Sequence, residues 1–578
     1  MLMFARTSLL ALLSFSSITG FGQSATAPSY PKGYFRNPLS VPITLAGNFG
    51  ECRPGHFHSG IDLRTNGVEN LPVFAAADGY ISRIKTEKGG FGHAIYITHP
   101  NGYTTLYAHL NKFYAPLQKH LRKAQYEKEK WDLDISFTPD KFPVKKGQQI
   151  AFSGNTGASA APHLHFEIRD SKTEHPLNPQ LFGFEVKDTK PPVISEIAFY
   201  RGNIFDRDVV SFTVAKKGET YKPLRSGNNA FPVSGDTVEV PAGKIGLGFT
   251  CDDFMEGSDN TITFRSAELE VDKTPTSSIF MDDIGYDVSR YLHGYADYYA
   301  RQKFNKWIQL MFRQPGNRLP GVYASPLPEY GKFNIAPGEV KELILTLTDN
   351  SDNRSQVRLF IKGHESETVN RNERGCKPFY YERTNDHSSP NIRFSVDDRQ
   401  LYDDICISVS TEPGDLSDRF QVHYPFVPLH HYTDLQIKSN RPLSEDLRSK
   451  VVLMYNDGKK DDAKAAQPID NMWYKASVRN FGNYWLDIDT TPPVIRPLHK
   501  NGANLSHAAK ISFIIKDATT SVRAFRGTID GKWGYFEPHG SDFFYEFDEY
   551  CKKGRHELEM TAEDENGNKA VVKTTFIR

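Results

Sequence analysis

The sequence predicts a mostly β chain of several domains: an antiparallel β domain with one helical insertion, then several immunoglobulin-like β-sandwich modules. Three observations carry this expectation. Short alternating apolar runs, broken by Gly, Pro, Asn and Asp, recur along the whole length. The stretch Leu117 to Trp131, rich in Lys, Glu, Gln and Leu with no Gly or Pro, has the composition of an inserted helix. Finally, Asp188-Thr189-Lys190-Pro191-Pro192-Val193-Ile194 is echoed by Asp489-Thr490-Thr491-Pro492-Pro493-Val494-Ile495, and paired prolines stiffen the approach to a strand.

At 578 residues the chain is too long for one ordinary core. We expect a signal peptide over 1–22, the first β domain over 34–186, and β-rich modules with a helix or long loop near Arg290 to Phe312 over 190–365. A β-sandwich-like module over 366–488 and an immunoglobulin-like sandwich over 489–578 complete the chain. Arg6, the apolar run Leu9 to Phe15, and Gly20 and Gly22 before Gln23 form the leader pattern. That run falls well short of the ~20 residues that span a bilayer, and no later segment is apolar for long enough to span. An exported protein with no transmembrane span follows, in the periplasm or cell envelope or secreted.

Within 34–186, Val73-Phe74-Ala75 and Tyr80 to Ile84 are expected strands. His93 to His99 and Tyr103 to His109 flank Pro100-Asn101-Gly102, a hairpin signal because Asn-Gly tolerates positive φ. Gln148 to Ser153 is a further short strand, followed by the Gly154-Asn155-Thr156-Gly157 turn and the strand His163 to Arg169. The charges of the inserted helix read as a solvated face. Acidic turns at Cys251-Asp252-Asp253, Thr348 to Asn353 and Glu563 to Asn568 mark module ends. None fits the twelve-residue calcium loop with its closing Glu, so they read as ordinary turn residues.

Lys+Arg and Asp+Glu balance at 70 each, so no global basic field points to nucleic acid. Cys52, Cys251, Cys376, Cys406 and Cys551 show neither a Cys-x-x-Cys pair nor a dense framework. Cys376 and Cys406 are the nearest candidates for a bond, by proximity within one β-rich segment.

Three histidine-bearing segments fall in the first domain: His56 to Asp62, Leu106 to His109 and His163 to Glu167. Strand alternation sends His163, His165 and Glu167 to one face and Leu164, Phe166 and Ile168 to the core. Catalytic zinc takes three ligands from His and carboxylate. Spacing alone does not say which histidines bind metal and which handle protons. His58-x-x-x-Asp62 with Gly60, then Tyr107-x-His109, then His163-Leu164-His165-Phe166-Glu167 after a Gly-x-x-Gly turn resemble the lysostaphin-type zinc endopeptidases. The resemblance spans about Asn48 to Phe184. It implies Zn2+ held by His58, Asp62 and His165, with His163 and His109 as the catalytic pair. It also implies a compact antiparallel β fold and a peptidoglycan peptide substrate. The alternative is a non-catalytic envelope protein of the same fold that binds peptidoglycan or activates another hydrolase.

Three neighbours of these motifs carry two readings each. His56 is a substrate contact or a loop residue, the latter favoured. Arg53 binds a substrate carboxylate or is a surface arginine. Glu167 orients a ligand histidine or ends its strand in solvent. His93 and His99 are most simply structural. The C-terminal modules position the enzyme, bind an envelope partner or cover the groove, and truncation after about Gly183 would test whether activity resides in the first domain.

Overall fold

The structure, a computed structural model, describes residues 30–217, 220–224, 233–234, 237–367 and 375–578. The leader expected over 1–22 lies outside these residues. No helix among them is long and apolar enough to cross a membrane.

The chain is mostly β, as its turn-rich alternation requires. In the first domain we label β1 (Leu45–Gly47), β2 (Ile61–Arg64), β3 (Gly79–Thr86), β4 (His93–Thr98), β5 (Tyr103–Ala108), α1 (Ala115–Lys128), β6 (Leu133–Ser136) and β7 (His163–Asp170). The main sheet runs β1-β2-β7-β5-β4-β3-β6 in space. Each neighbouring pair is antiparallel. The β4–β5 hairpin turns at Asn101-Gly102, with Gly102 at φ 86°. A second sheet of Pro72–Phe74, Gln149–Ser153 and Leu110–Phe113 packs into the same core.

Strand β7 shows how alternation builds the domain. Leu164, Phe166 and Ile168 are fully buried in the core, leaving His163, His165 and Glu167 on the opposite face. Helix α1 buries Leu117, Leu121 and Gln125 at a four-residue spacing that keeps one stripe inward. Its charged side is not simply solvated. The Arg122 guanidinium stands 3.4 Å from the Tyr535 ring centre, and Tyr126 stacks on Tyr550 at 3.6 Å. Tyr126 also donates to Asp548, and Glu129 pairs with Arg526. The last module thus covers a face that composition alone marks as wet.

Strands from 193 to 364 join in a single twelve-stranded sheet, with parallel pairs where Thr237–Pro241 runs beside Arg354–His364. The expected interruption near Arg290 to Phe312 contains two short helices, Leu292–Tyr295 and Tyr298–Phe304, the second capped by Asp297. This unit's core includes Phe49 and Phe57 of the first domain, so the two share one interior. Residues 377–488 form two five-stranded sheets around a common core, and Cys376 and Cys406 are bonded there. Cys52, Cys251 and Cys551 are free thiols. Residues 494–577 form sheets of four and five strands around a fourth core.

The acidic turns are not three of a kind. Asp349 to Asn353 and Asp564 to Asn568 turn long hairpins in the same way, each Asp accepting from the Asn four residues on. Cys251-Asp252-Asp253 instead ends the strand Gly243–Asp252, which pairs with Val193–Arg201 after the first Pro-Pro linker.

Candidate metal centre

Register assembles the site. Strand β7 lies between β2 and β5, with His165 directly opposite Asp62 on one side and Ala108 on the other. Asp62 and His165 thereby face each other across a strand pair. His109 follows where the chain leaves the main sheet for the second one. Its φ of 58° is uncommon for a residue with a Cβ, and such backbone is retained where surrounding structure holds it. His58 arrives on the preceding loop, whose backbone must pass close to β7. A Cβ on Gly60 would stand 2.4 Å from the Phe166 carbonyl oxygen.

His58, Asp62 and His165, all buried, offer ligand atoms that lie within 4.8 Å of one another. His58 Nε2 is 3.1 Å from Asp62 Oδ1 and 3.0 Å from His165 Nδ1, and His165 Nδ1 is 2.8 Å from Asp62 Oδ1. The remote ring nitrogens set the tautomers. His58 Nδ1–H donates to the Asn48 carbonyl at 2.7 Å, and His165 Nε2–H donates to Glu167 at 2.8 Å. Two imidazole lone pairs and a carboxylate oxygen therefore converge with no N–H of these tautomers between them. That donor set suits a divalent cation such as zinc, whose ligands are His nitrogen and carboxylate oxygen.

Charge states agree with this. Burial lowers His58 to about 4, so its imidazole is neutral at pH 7. Burial works to raise the Asp62 carboxyl, but His58, His163 and His165 around it carry it well below the usual range. At His165 burial opposes charge, and hydrogen bonds to Asp62 and Glu167 outweigh it, raising the group to about 9. Without a cation the ring therefore carries a second proton. A cation binding there displaces that proton.

His163 and His109 stand beside this trio, their rings 4.7 Å apart. His163 Nδ1–H donates to the Ala161 carbonyl at 2.8 Å, leaving Nε2 3.4 Å from Asp62 Oδ1. His109 Nδ1–H donates to the Thr156 carbonyl at 2.8 Å, in the Gly154 to Gly157 turn. Burial, then His165 and His163, lower His109 to about 3. The other candidates are placed as follows. His56 is exposed on a two-residue strand. His99 is buried between the Asp78 carbonyl and the Thr105 hydroxyl. His93 is structural too, but its partner is Glu537 of the last module, 3.2 Å away.

Three side chains take roles that spacing left open or hid. Arg53 is not a free surface group: it holds Asp62 Oδ2 at 2.7 Å and Glu51 at 3.0 Å. Glu167 is fully buried, and its Oε1 accepts from His165, from Ser59 and from Tyr286 of the second unit, the last two at 2.6 Å. Arg169 donates to its other oxygen and to Tyr286. Asn48 is the third, fully buried and exchanging side-chain hydrogen bonds with the Thr263 backbone. Tyr286 lies 119 residues from Glu167, and no local signal points to it. Asn48 does lie in the Gly47-Asn48-Phe49-Gly50 turn, where a Cβ on Gly47 would meet Arg53 at 2.4 Å.

A cleft of about 320 Å³ runs from Asn155 and Thr156, beside His109, to Tyr535, Glu537 and Phe544 of the last module. A larger cavity, about 840 Å³, lies between the second and third units around Arg290, Arg301 and Arg479, and none of the five site residues lines it.

Residues 56–126 and 137–179 match peptidase family M23, and 377–489 match the Zu5-like domain. The DD-carboxypeptidase/endopeptidase Mpg of Neisseria meningitidis is 37% identical over 154 residues, 27% of this chain and 26% of Mpg. The murein hydrolase activator NlpD of Salmonella dublin is 30% identical over 162 residues, 28% of this chain and 35% of that protein. The lipoprotein NlpD of Yersinia enterocolitica is 31% identical over 112 residues, 19% of this chain and 91% of that protein. The chain thus spans about a quarter to a third of the length of Mpg and of the Salmonella protein.

Proposed function

The chain belongs to peptidase family M23, the lysostaphin type, and from that premise we propose that it is a zinc-dependent endopeptidase of the cell envelope. Its substrate is the peptide cross-bridge of peptidoglycan, and its reaction is amide hydrolysis by an activated water. The observation that carries this reading is the convergence of His58 Nε2, His165 Nδ1 and Asp62 Oδ1 beside two further histidines whose tautomers are set by backbone carbonyls.

His58, Asp62 and His165 hold the metal. When bound, zinc supplies a Lewis acid that polarises the scissile carbonyl and lowers the pKa of water to about 7. The protein's own part is positioning and proton transfer. With Nδ1–H committed to Ala161 and Thr156 carbonyls, His163 and His109 each present Nε2 as an acceptor. One takes the proton of the attacking water and passes it to the leaving amine. The other, once protonated, stabilises negative charge on the carbonyl oxygen. Glu167 and Asn48 fix the ligand rings from behind, and Arg53 pairs with the second oxygen of Asp62.

A second reading rests on the likeness to a protein named murein hydrolase activator. On it, the same fold binds peptidoglycan or another hydrolase without cutting. Metal analysis of the mature full chain with digestion of purified sacculi separates the two. The enzyme reading expects about one zinc per chain and muropeptide release. His165→Ala should lose metal and release together, and His163→Ala should keep most metal but lose release. Equal release by all three proteins would sink the assignment. Binding to sacculi without release by wild type, with hydrolysis appearing only when a partner murein hydrolase is added, would favour the activator.

A further inference from the structure

Two clusters of three aspartates, sharing no residue with the histidine site, stand at the two Pro-Pro linkers. Asp188, Asp253 and Asp349 form the first, and Asp489, Asp517 and Asp564 the second. In each, one oxygen per residue lies within 4.8 Å of the others. The clusters are built alike. The first Asp opens the linker. The second follows the strand that pairs with the strand after the linker, Gly243–Asp252 in one case and Lys510–Lys516 in the other. The third starts a hairpin turn whose Asn, four residues on, donates both to that Asp and to the carbonyl of the linker Asp.

Carboxylates gathered in this way repel unless something positive lies among them. In each cluster at least one member has a buried, unpartnered carboxylate oxygen. Asp253 is fully buried; its Oδ1 accepts from the Phe254 amide, and Oδ2 has no partner. Asp489 is 2% exposed; its Oδ1 accepts from the Thr491 amide, and Oδ2 has no partner. Asp517 Oδ2 is likewise buried and unpartnered. A buried carboxylate oxygen without a donor is costly, so the site is arranged for a ligand. The nearby ammonium groups are engaged elsewhere: Lys190 on the Met255 carbonyl and Lys450 on the Asn566 carbonyl, each at 3.0 Å. Glu256, hydrogen-bonded to Thr189, adds further negative charge at the first cluster.

We propose that each cluster is a calcium site, so that the chain carries two Ca2+ ions, one clamping each Asp-Thr-x-Pro-Pro linker onto the module that follows it. All-oxygen donors select a hard cation, and calcium accepts three carboxylates completed by water without the strict octahedron magnesium needs. The twelve-residue loop test could not find these sites, because each draws its ligands from three separate segments. The ordinary-turn reading of Asp349 and Asp564 is therefore incomplete, and Asp253 takes the place that Asp517 takes in the second cluster.

The test uses the mature full chain, zinc-loaded and desalted free of calcium, titrated with CaCl2 by calorimetry and with Tb3+ by sensitised luminescence. Two equivalents should bind per chain, and the melting midpoint should rise with Ca2+ more than with equal Mg2+. Asp253→Asn should remove one equivalent and Asp517→Asn the other, each weakening its own site about tenfold or more. The double variant should melt independently of calcium. If Asp253→Asn does not fold, Asp188→Asn at the half-buried side of the same cluster replaces it. Absence of binding up to about 10 mM, beyond the range of extracellular calcium modules, would overturn the proposal. So would asparagine variants that stabilise the calcium-free chain yet bind calcium as wild type does, because that identifies the clusters as protonated carboxyls.

Discussion

Glu167 separates a side chain that occupies a strand position from one that governs a site. It is buried with full charge because His165, Ser59 and Tyr286 donate to one oxygen and Arg169 to the other. Burial works to raise its carboxyl, but Arg169 and then His165 hold it below the ordinary range. Glu167→Gln removes the buried counter-charge of Arg169, leaving it only Glu174 at 3.4 Å, and weakens the constraint on the His165 tautomer. Loss of one partner of a buried pair costs about 3–5 kcal/mol, and loss of such an orienting group weakens metal binding about 10–100-fold. Urea unfolding and zinc competition against a chromophoric chelator measure the two effects. Unchanged zinc affinity in a folded Gln variant would remove Glu167 from the positioning role. His109→Ala removes no proposed ligand, so it should retain zinc in the same competition while sacculus digestion is lost.

At the scale of elements, the site depends on the β2–β7 register, which sets Asp62 against His165. The two faces of β7 then make separable predictions. Leu164→Ala removes a fully buried core side chain and should cost about 2–5 kcal/mol while the ligand face stays intact. Gly60→Ala pushes a methyl group against the Phe166 carbonyl, at a cost of about 1–3 kcal/mol. The strain falls between His58 and Asp62, so zinc affinity should fall with it. Paired urea and zinc titrations of both variants test this. Equal loss of zinc affinity in the two would show that stability alone, and not register, controls the site.

The whole molecule closes around the first domain from two sides. Phe49 and Phe57 sit in the second unit's core, and Met255 and Ile262 of that unit pack into the first. Truncation after Gly183 therefore strips a shared interior and is a poor test of where activity lies. Removal of 489–578 is the better cut, since that module docks through α1 and one side of the cleft. Its docking should depend on pH through the His93–Glu537 pair. Burial opposes charge on His93, but Glu537 outweighs it and raises the group; burial would raise Glu537, but His93 outweighs it and lowers that carboxyl. The raised histidine contributes fully below its ordinary value of about 6.5 and loses this as pH rises through its folded value. The depressed carboxylate contributes fully above its ordinary value of about 4.3 and loses this as pH falls through its own. Docking should be tightest between these values and loosen as pH rises through the raised value of His93. Small-angle scattering across pH would read this as a growing radius, and Glu537→Gln should flatten the profile.

Local chemistry made much of this legible from the sequence alone. The alternation of β7, the Asn101-Gly102 hairpin, the inserted helix and the order of the histidine motifs all follow from period, turn geometry and short spacing. These features determined the mostly β class, and the family resemblance that the motifs carry names five residues that the fold gathers within one small region. What spacing could not reach are partners set by packing over long separations. Arg53 on Asp62, Tyr286 on Glu167, the last module on α1 and the third aspartate of each cluster all depend on which surfaces meet. A strand's period says which face a side chain occupies; only the tertiary structure decides what covers that face, and so which charge is paired, buried or left for an ion.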